Sequence, residues 1–393
     1  MRTITAVTVG RSDWGIFRPV LQRILKEPHL ELRLVVSGAH LSQRDGHSID
    51  EIRSEGFDVA ETVDMLLESD TPVATSKAIG LGTIGFADAY QRIRPDILLL
   101  LGDRFEMLSA ALAAVPMAIP MAHIHGGEVT HGAIDDAFRH SMTKYSHLHF
   151  ASTREHADRI MQLGEEPWRI TVSGAPAIDN LKTIPLISRD ELADSLDIDL
   201  CQAPLIVTYH PVTRQLQDTA RQVDDLTAAL AELTIPIVIT HPNADPQHSV
   251  VTSRLEEFKS KHENVRLVSS LGTQRYFSLM RDACAMVGNS SSGIIEAAMF
   301  RLPVVNIGPR QSGRPRSANV IDVNCTHQEI SAGISKALSP EFKASAEQAR
   351  NIYGSGDAAE IIVKRLGSVE LNDSLLLKRF HDLSGATTTA AAA

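Results

Sequence analysis

The sequence predicts an α/β protein made of two doubly wound domains, each a parallel sheet wrapped on both faces by helices, with a cleft between them. Three observations carry that expectation. At 393 residues the chain exceeds what one ordinary core fills. Short apolar runs recur with helical stretches between them, the rhythm of buried parallel strands. That rhythm stops near residue 174 and restarts at residue 204.

Taken in order, the first series of strands is "ITAVTVG", "LELRLVVSG", "PDILLLLG", "MAIPMAHIHGG", "LHFAS" and "RITVSG". The segment 175–204 has few apolar strand positions and a polar helical pattern, so it supplies a linker and the first helix of the second domain. A second series follows: "PLIVTYHP", "IPIVITHP", "VRLVSS", "ACAMVGNS" and "LPVVNIG". The stretch "LNDSLLLKRFHDL" has an amphipathic helical period suited to crossing back onto the first domain. The expected division is therefore 1–182, 183–368, a returning C-terminal helix over 369–385, and a low-complexity tail over 386–393.

Composition narrows the function. With 43% hydrophobic and 22% charged residues the chain has the make-up of a globular protein with sizeable interiors. A formal charge of −10 argues against general nucleic-acid binding, which relies on basic surfaces, but leaves room for a small anion held by a few arginines. Cys201, Cys284 and Cys325 are odd in number and lack metal-like spacing, which suits a reducing cytoplasm. The amino terminus "MRTITAVTVG" alternates like a strand and has no long apolar stretch, so neither a signal peptide nor a membrane partner is expected.

In open parallel sheets ligands collect beyond the carboxyl ends of the strands, and the polar motifs fall there. "TVGRSDWG" places Gly10, Arg11, Ser12 and Asp13 after the first strand. A glycine backbone and a fixed cation suit a diphosphate, while Ser12 or Asp13 capping the next helix is the plainer reading. "GDRFE" puts Asp103 and Arg104 at the end of a fully buried strand, where the acid has a perturbed environment and the arginine balances charge.

"HIHGGEVTHGAIDDAFRHSMTK" is the densest stretch. His123 and His125, two apart, would share a face of a strand, which raises a metal reading completed by Glu128 and His131; acid/base chemistry without metal is favoured, because the paired glycines imply close backbone approach. Farther on, Asp135 with Arg139 and Asp136 with His140 have i,i+4 helical spacing. In the second half, His210 and His241 with Asn243 each follow an apolar strand. Gly288, Asn289, Ser290, Ser291, Ser292 and Gly293 precede an alanine-rich helix whose amino terminus can wrap a phosphate. Glu296, one turn inside, could receive the two hydroxyls of a ribose, and Arg310, Arg314 and Arg316 add positive charge.

Together, and in this order, "GDRFE", "HIHGGE" followed by "DDAFRHSMTK", "HPVT", "GNSSSGIIEA" and "NIGPRQSGRPR" resemble the hydrolysing UDP-N-acetylglucosamine 2-epimerases that begin sialic acid and related nonulosonic acid pathways. The likeness covers nearly the whole chain before the alanine tail. It implies the GT-B architecture, two Rossmann-like domains with a nucleotide sugar as partner, and a homodimer or homotetramer in the cytoplasm without cofactor or metal. It also implies a reaction at C2. A base removes the C2 proton as nucleoside diphosphate leaves C1, and water then adds to the 2-acetamidoglucal to release a free sugar inverted at C2.

By position, the resemblance makes Asp103, Glu128, Asp135 and His210 the catalytic set. It gives the substrate Arg11, Arg104, His125, Arg139, Asn243, Ser290, Ser291, Glu296 and Arg314. Non-hydrolysing relatives have a glutamate where this chain has His125, and a lysine where it has Ile16. The default substrate is UDP-N-acetylglucosamine, giving N-acetylmannosamine. Its competitor is a UDP- or GDP-linked 2,4-diacetamido-2,4,6-trideoxyglucose of the legionaminic acid type. A GT-B glycosyltransferase would share the fold but needs an acceptor groove and no acids around C2, and a binding module without turnover has no use for the acidic and histidine set.

Overall fold

The computed structural model describes residues 1–43, 47–69, 71–130, 134–212, 216–242, 247–268 and 271–383. They form two compact units, 1–180 with 353 onward, and 181–352.

In the first unit β1 (Arg2–Thr8) leads through α1 (Arg11–Leu25) to β2 (Leu30–Ser37), then α2 (Ile49–Ser54), β3 (Val59–Val63) and α3 (Pro72–Ile93). Then follow β4 (Ile97–Leu101), α4 (Phe105–Ala114), β5 (Met121–Ile124), α5 (Asp135–Tyr145), β6 (Leu148–Ala151), α6 (Arg154–Gln162) and β7 (Ile170–Val172). All pairings are parallel and the spatial order is β3-β2-β1-β4-β5-β6-β7. Every residue of β4 is buried, as its run of leucines requires at the centre of a sheet covered on both faces. One face carries Phe17, Leu21 and Ile24 of α1 and the other Phe86 and Tyr90 of α3.

The one-turn α7 (Asn180–Thr183) bridges into the second unit, where α8 (Arg189–Leu196) opens on a capping box made by Ser188 and Glu191. There β8 (Leu205–Thr208), α9 (Thr219–Leu230), β9 (Ile237–Thr240), α10 (His248–Lys261) and β10 (Val265–Val268) come first. They are followed by α11 (Gly272–Asp282), β11 (Ala285–Gly288), α12 (Ser292–Ile295), β12 (Val304–Ile307), β13 (Val320–Val323), α13 (His327–Leu338) and α14 (Pro340–Gln348). The parallel sheet has the order β10-β9-β8-β11-β12-β13.

The return to the first unit differs from the sequence expectation. It begins at Tyr353, so α15 (Ala358–Ser368) belongs to the first unit, and the forward division falls at 180/181. The cause is local: both Asp179 carboxylate oxygens accept from the free N–H groups of Ala358 and Ala359 at 3.1 and 2.6 Å, and Ile362 and Leu366 then pack into the core of α1. The helix expected over 369–385 shrinks to α16 (Asp373–Leu376). Its terminal carbonyls are taken from outside, Arg169 donating to those of Ser374, Leu375 and Leu377. Lys378 continues the chain as a strap, donating to the carbonyls of Lys144 and Ser146 at the end of α5.

Both sheets reverse their strand order once, between β1 and β4 in the first unit and between β8 and β11 in the second. At such a reversal neighbouring loops diverge and leave the carboxyl edge open to a ligand.

Candidate active site

At the reversal in the first unit, the first turn of α1, following β1, carries Asp13, and the turn after β4 carries Asp103. Gly10 precedes α1 without a side-chain cap, and Ser12 donates to Asp13 at 3.3 Å, so neither residue plays the capping part that was the plainer expectation. Asp13 Oδ2 is buried and has no hydrogen-bond partner among the described residues. Burial pushes this carboxyl up to about 6, against the pull of Arg104 and with the help of Glu106 and Asp103. Arg11 stands exposed on the same turn, ion-paired with Glu51.

Asp103 is fixed from β5. Gly102 turns the chain at φ +77°, donates to the Ile124 carbonyl at 3.0 Å, and accepts from His123 Nε2 at 2.7 Å. His123 is fully buried and burial holds it down to about 3, a neutral strut. His125 does not share its face as the two-residue spacing predicted, because β5 ends at Ile124 and His125 takes φ +67°, a conformation a non-glycine residue adopts only under constraint. The metal reading thus loses its paired histidines, and its further member His131 lies outside the described residues. Among the described residues no group of three or more His, Cys, Asp or Glu is arranged to hold a metal ion.

The constraint on His125 is visible. Its Nδ1 meets Glu128 Oε1 at 2.5 Å, Ser152 Oγ donates to the same oxygen at 2.9 Å, and Ser152 Oγ also meets His156 Nδ1 at 2.8 Å. His125 Nε2 is left buried without a partner among the described residues. Gly127 makes this relay possible, since at φ +76° a Cβ there would lie 2.3 Å from the His156 carbonyl oxygen. A carboxylate on one imidazole nitrogen fixes the tautomer and aims the other nitrogen at whatever it meets.

Arg139 binds the acids together. Its buried guanidinium ion-pairs with Asp103, pairs with Asp136 at 2.5 Å, and donates to Thr130 Oγ1 at 3.0 Å and the Glu128 carbonyl at 2.9 Å. The expected i,i+4 partner Asp135 is not the one it contacts; Asp136, three residues before, has the shorter path and takes that place. Asp135 stays at the first turn of α5, where burial and nearby Asp103 push it above the ordinary aspartate range. Toward His140, its expected partner, Asp136 acts through its charge, its hydrogen bonds going to Arg139 and the Thr130 N–H. Arg104 grips fully buried Glu106 through two hydrogen bonds at 2.9 and 3.2 Å.

In the second unit the carboxyl edge of its own sheet is built by Asn289. Its side chain accepts from the His210 N–H at 2.7 Å and donates to the His210 carbonyl at 2.8 Å, so β8 and β11 end in one rigid unit. Gly288 is obligatory there, because a Cβ would lie 1.9 Å from the Thr208 carbonyl oxygen. Burial, then Arg310, hold the His210 imidazole down to about 4, hence neutral at pH 7. Ser290 Oγ accepts from the Ser292 N–H at 3.3 Å, and the Tyr276 hydroxyl sits among Ser290, Ser292 and Thr208, its phenol pushed up to about 12 chiefly by burial.

The alanine-rich helix expected after Ser291 is a single turn, α12, followed by a tighter 3₁₀ turn over Ala297–Phe300. Glu296 therefore stands at the entry to that turn, without a side-chain cap, instead of lying inside a helix, and the helix dipole contributes little. Burial pushes Glu296 up to about 7, against the pull of the Arg314 charge. Glu296 Oε2 and Arg314 Nη1 are both buried without hydrogen-bond partners among the described residues, a donor and an acceptor left for a ligand. Arg310 and Arg316 are spent on structure: Arg310 donates to the Asn289 carbonyl at 3.1 Å, and Arg316 pairs with Asp322 at 3.2 Å. Asn243, expected to bind substrate, lies outside the described residues.

Four contributors escaped the sequence reading: Glu106, Ser152, His156 and Tyr276. Glu106 was within reach, being the acid of "GDRFE" two residues from Arg104. The other three enter through strand pairing and helix packing that no local motif records.

Known proteins fit this frame. A profile of the UDP-N-acetylglucosamine 2-epimerase family matches residues 22–367. The GDP/UDP-N,N'-diacetylbacillosamine 2-epimerase (hydrolyzing) of Campylobacter jejuni is 36% identical over 97% of this chain and 99% of its own. The UDP-N,N'-diacetylbacillosamine 2-epimerase (hydrolyzing) of Legionella pneumophila is 34% identical over 96% and 99%. The UDP-GlcNAc 2-epimerase of Neisseria meningitidis, solved with UDP-GlcNAc, superimposes with a TM-score of 0.77 over 93% of this chain and 99% of its own at 19% identity, which speaks for the fold, GT-B-like with two parallel-sheet α/β domains.

Proposed function

The chain belongs to the UDP-N-acetylglucosamine 2-epimerase family, a family of nucleotide-sugar enzymes, and from that premise we propose that it is a hydrolysing 2-epimerase acting on a nucleotide-linked 2,4-diacetamido-2,4,6-trideoxyglucose. The products are nucleoside diphosphate and the free, C2-inverted manno sugar, a building block for nonulosonic acids. This replaces UDP-N-acetylglucosamine, the default of the sequence reading, because the relatives at 36% and 34% identity are both named for diacetylbacillosamine.

The observation that carries the reaction type is the gathering of carboxyls about two guanidiniums, beside the His125–Glu128 pair at the carboxyl edge of the first sheet. Elimination takes a proton from C2 as the C1–O bond breaks, leaving a C1=C2 double bond. Hydration adds water at C1 and returns a proton to the opposite face of C2. Two faces need two groups. Asp103 and Asp135 serve one face; His125 Nε2 serves the other, held by Glu128, whose Oε1 is already engaged by His125 and Ser152. Arg139 holds Asp103 in place, and Arg104 and Arg139 oppose the burial that pushes Asp135 up.

In the second unit the roles are those of a nucleotide handle. His210 and the Ser290 and Ser291 hydroxyls meet diphosphate oxygens, Glu296 accepts from the ribose hydroxyls, and Arg314 supplies charge. No helix among the described residues is long and apolar enough to cross a membrane. A cytoplasmic homodimer or homotetramer completes the reading, and light scattering on the purified chain tests the assembly.

The test of activity is product identification by NMR after incubation with UDP- and GDP-linked 2,4-diacetamido sugars and UDP-N-acetylglucosamine, without acceptor. Release of nucleoside diphosphate with the free 2,4-diacetamido manno sugar supports the proposal. Turnover of UDP-N-acetylglucosamine alone overturns the substrate, and absence of turnover without an added acceptor overturns the reaction.

A further inference from the structure

The first unit contains a second feature at the same sheet edge, which shares Arg104 and Glu106 with the acid set. A cavity of about 300 Å³ lies between the first two turns of α3 and the start of α4. Ala74 and Ala78, 6% and 2% exposed, form an apolar wall with Phe105, and Ser69, Thr75 and Arg104 supply hydroxyls and a guanidinium. The size lies at the lower end of small-molecule pockets, enough for one edge of a hexose.

We infer that this cavity is the subsite for the C4 acetamido group of the sugar, and that it makes the enzyme choose a 4-acetamido over a 4-hydroxy donor. The inference rests on the proposed reaction and deepens it. Arg104 is the shared wall: one side lies within electrostatic reach of Asp13 and Asp135, the other lines the cavity. A single ring carbon separates C2 from C4, so a substituent at C4 falls beside groups that work at C2. An acetamido group needs apolar contact for its methyl and partners for both ends of its amide: Phe105 and the alanines line the apolar side, and the Ser69 hydroxyl, the Arg104 guanidinium and the Glu68 and Glu106 carboxylates line the polar side, while Thr75 donates to the Thr71 carbonyl and two Arg104 nitrogens donate to Glu106. A 4-hydroxyl is too small to reach the alanines and leaves the cavity to water. Small side chains at 74 and 78 are what keep it open.

The test uses Ala74→Leu, and Ser69→Tyr at the exposed rim in case a leucine at 74 unseats α3. Dissociation constants are measured calorimetrically for UDP, UDP-N-acetylglucosamine and the UDP-linked 2,4-diacetamido sugar. Loss of affinity of at least tenfold for the diacetamido donor alone, the scale of one excluded group in a pocket, with UDP and UDP-N-acetylglucosamine held within twofold, supports the subsite. An equal loss for both sugars, or no loss in either variant, overturns it. Turnover by the parent separates the two levels: a parent inert on the diacetamido donor removes the proposed substrate and the subsite with it, whereas an active parent with unshifted variants removes the subsite alone.

Discussion

Replacing Asp13 by asparagine should make the first unit more stable and the enzyme less active. The carboxyl is pushed up to about 6 from an ordinary 3.8, mainly by burial. At about 1.4 kcal/mol per pH unit the fold opposes its charge by on the order of 3 kcal/mol. Since the residue is partly exposed, solvent reduces this to on the order of 1–2 kcal/mol. The sign follows from the raised folded-state value. The stability associated with a neutral Asp13 is fully present below pH 3.8 and is lost as pH rises through about 6. Asparagine has the same shape and never ionises, so Asp13→Asn should match the parent near pH 4 and exceed it at pH 8. Urea denaturation of parent and variant at both pH values reads the difference, and the same samples, assayed at pH 8, should show turnover reduced at least tenfold if the charged carboxyl faces the substrate. A variant no more stable at pH 8 than at pH 4, relative to the parent, would refute the burial argument.

Arg139→Met should cost on the order of 3–5 kcal/mol of stability by stranding Asp103 and Asp136, and lower kcat at least a hundredfold, as thermal melts and steady-state kinetics would register. Ser152→Ala frees one oxygen interaction of Glu128 and loosens His125; kcat should fall about tenfold with KM nearly unchanged, and a KM effect alone would contradict the relay. Glu296, pushed up to about 7 by burial, accepts ribose hydroxyls best when charged, so UDP affinity should rise as pH increases from 6 to 8. Glu296→Gln should flatten that dependence in calorimetric titrations.

The parts legible in the sequence are those where burial writes a continuous apolar run. The leucines of β4 announced a central strand and the position of Asp103 at its end. The edge strands β3 and β13 were not visible, because "VAETV" and "VIDV" are mostly half-exposed and carry no such run. Strand order is likewise unwritten: Asp13 and Asp103 are ninety residues apart, and only the parallel pairing of β1 with β4 makes them neighbours. Ser152 and His156 reach Glu128 because β6 lies beside β5. The return at Tyr353 depends on Asp179 capping α15, a contact across 179 residues that no periodicity announces.

The most direct test of C2 chemistry coupled to C1–O cleavage is a mass spectrum of both products formed in D₂O enriched in ¹⁸O. The free sugar should carry deuterium at C2 while the nucleoside diphosphate stays free of ¹⁸O. Protium retained at C2 together with ¹⁸O in the diphosphate would mean that water attacks phosphorus, and the acids of the first unit would then have no proton at C2 to move.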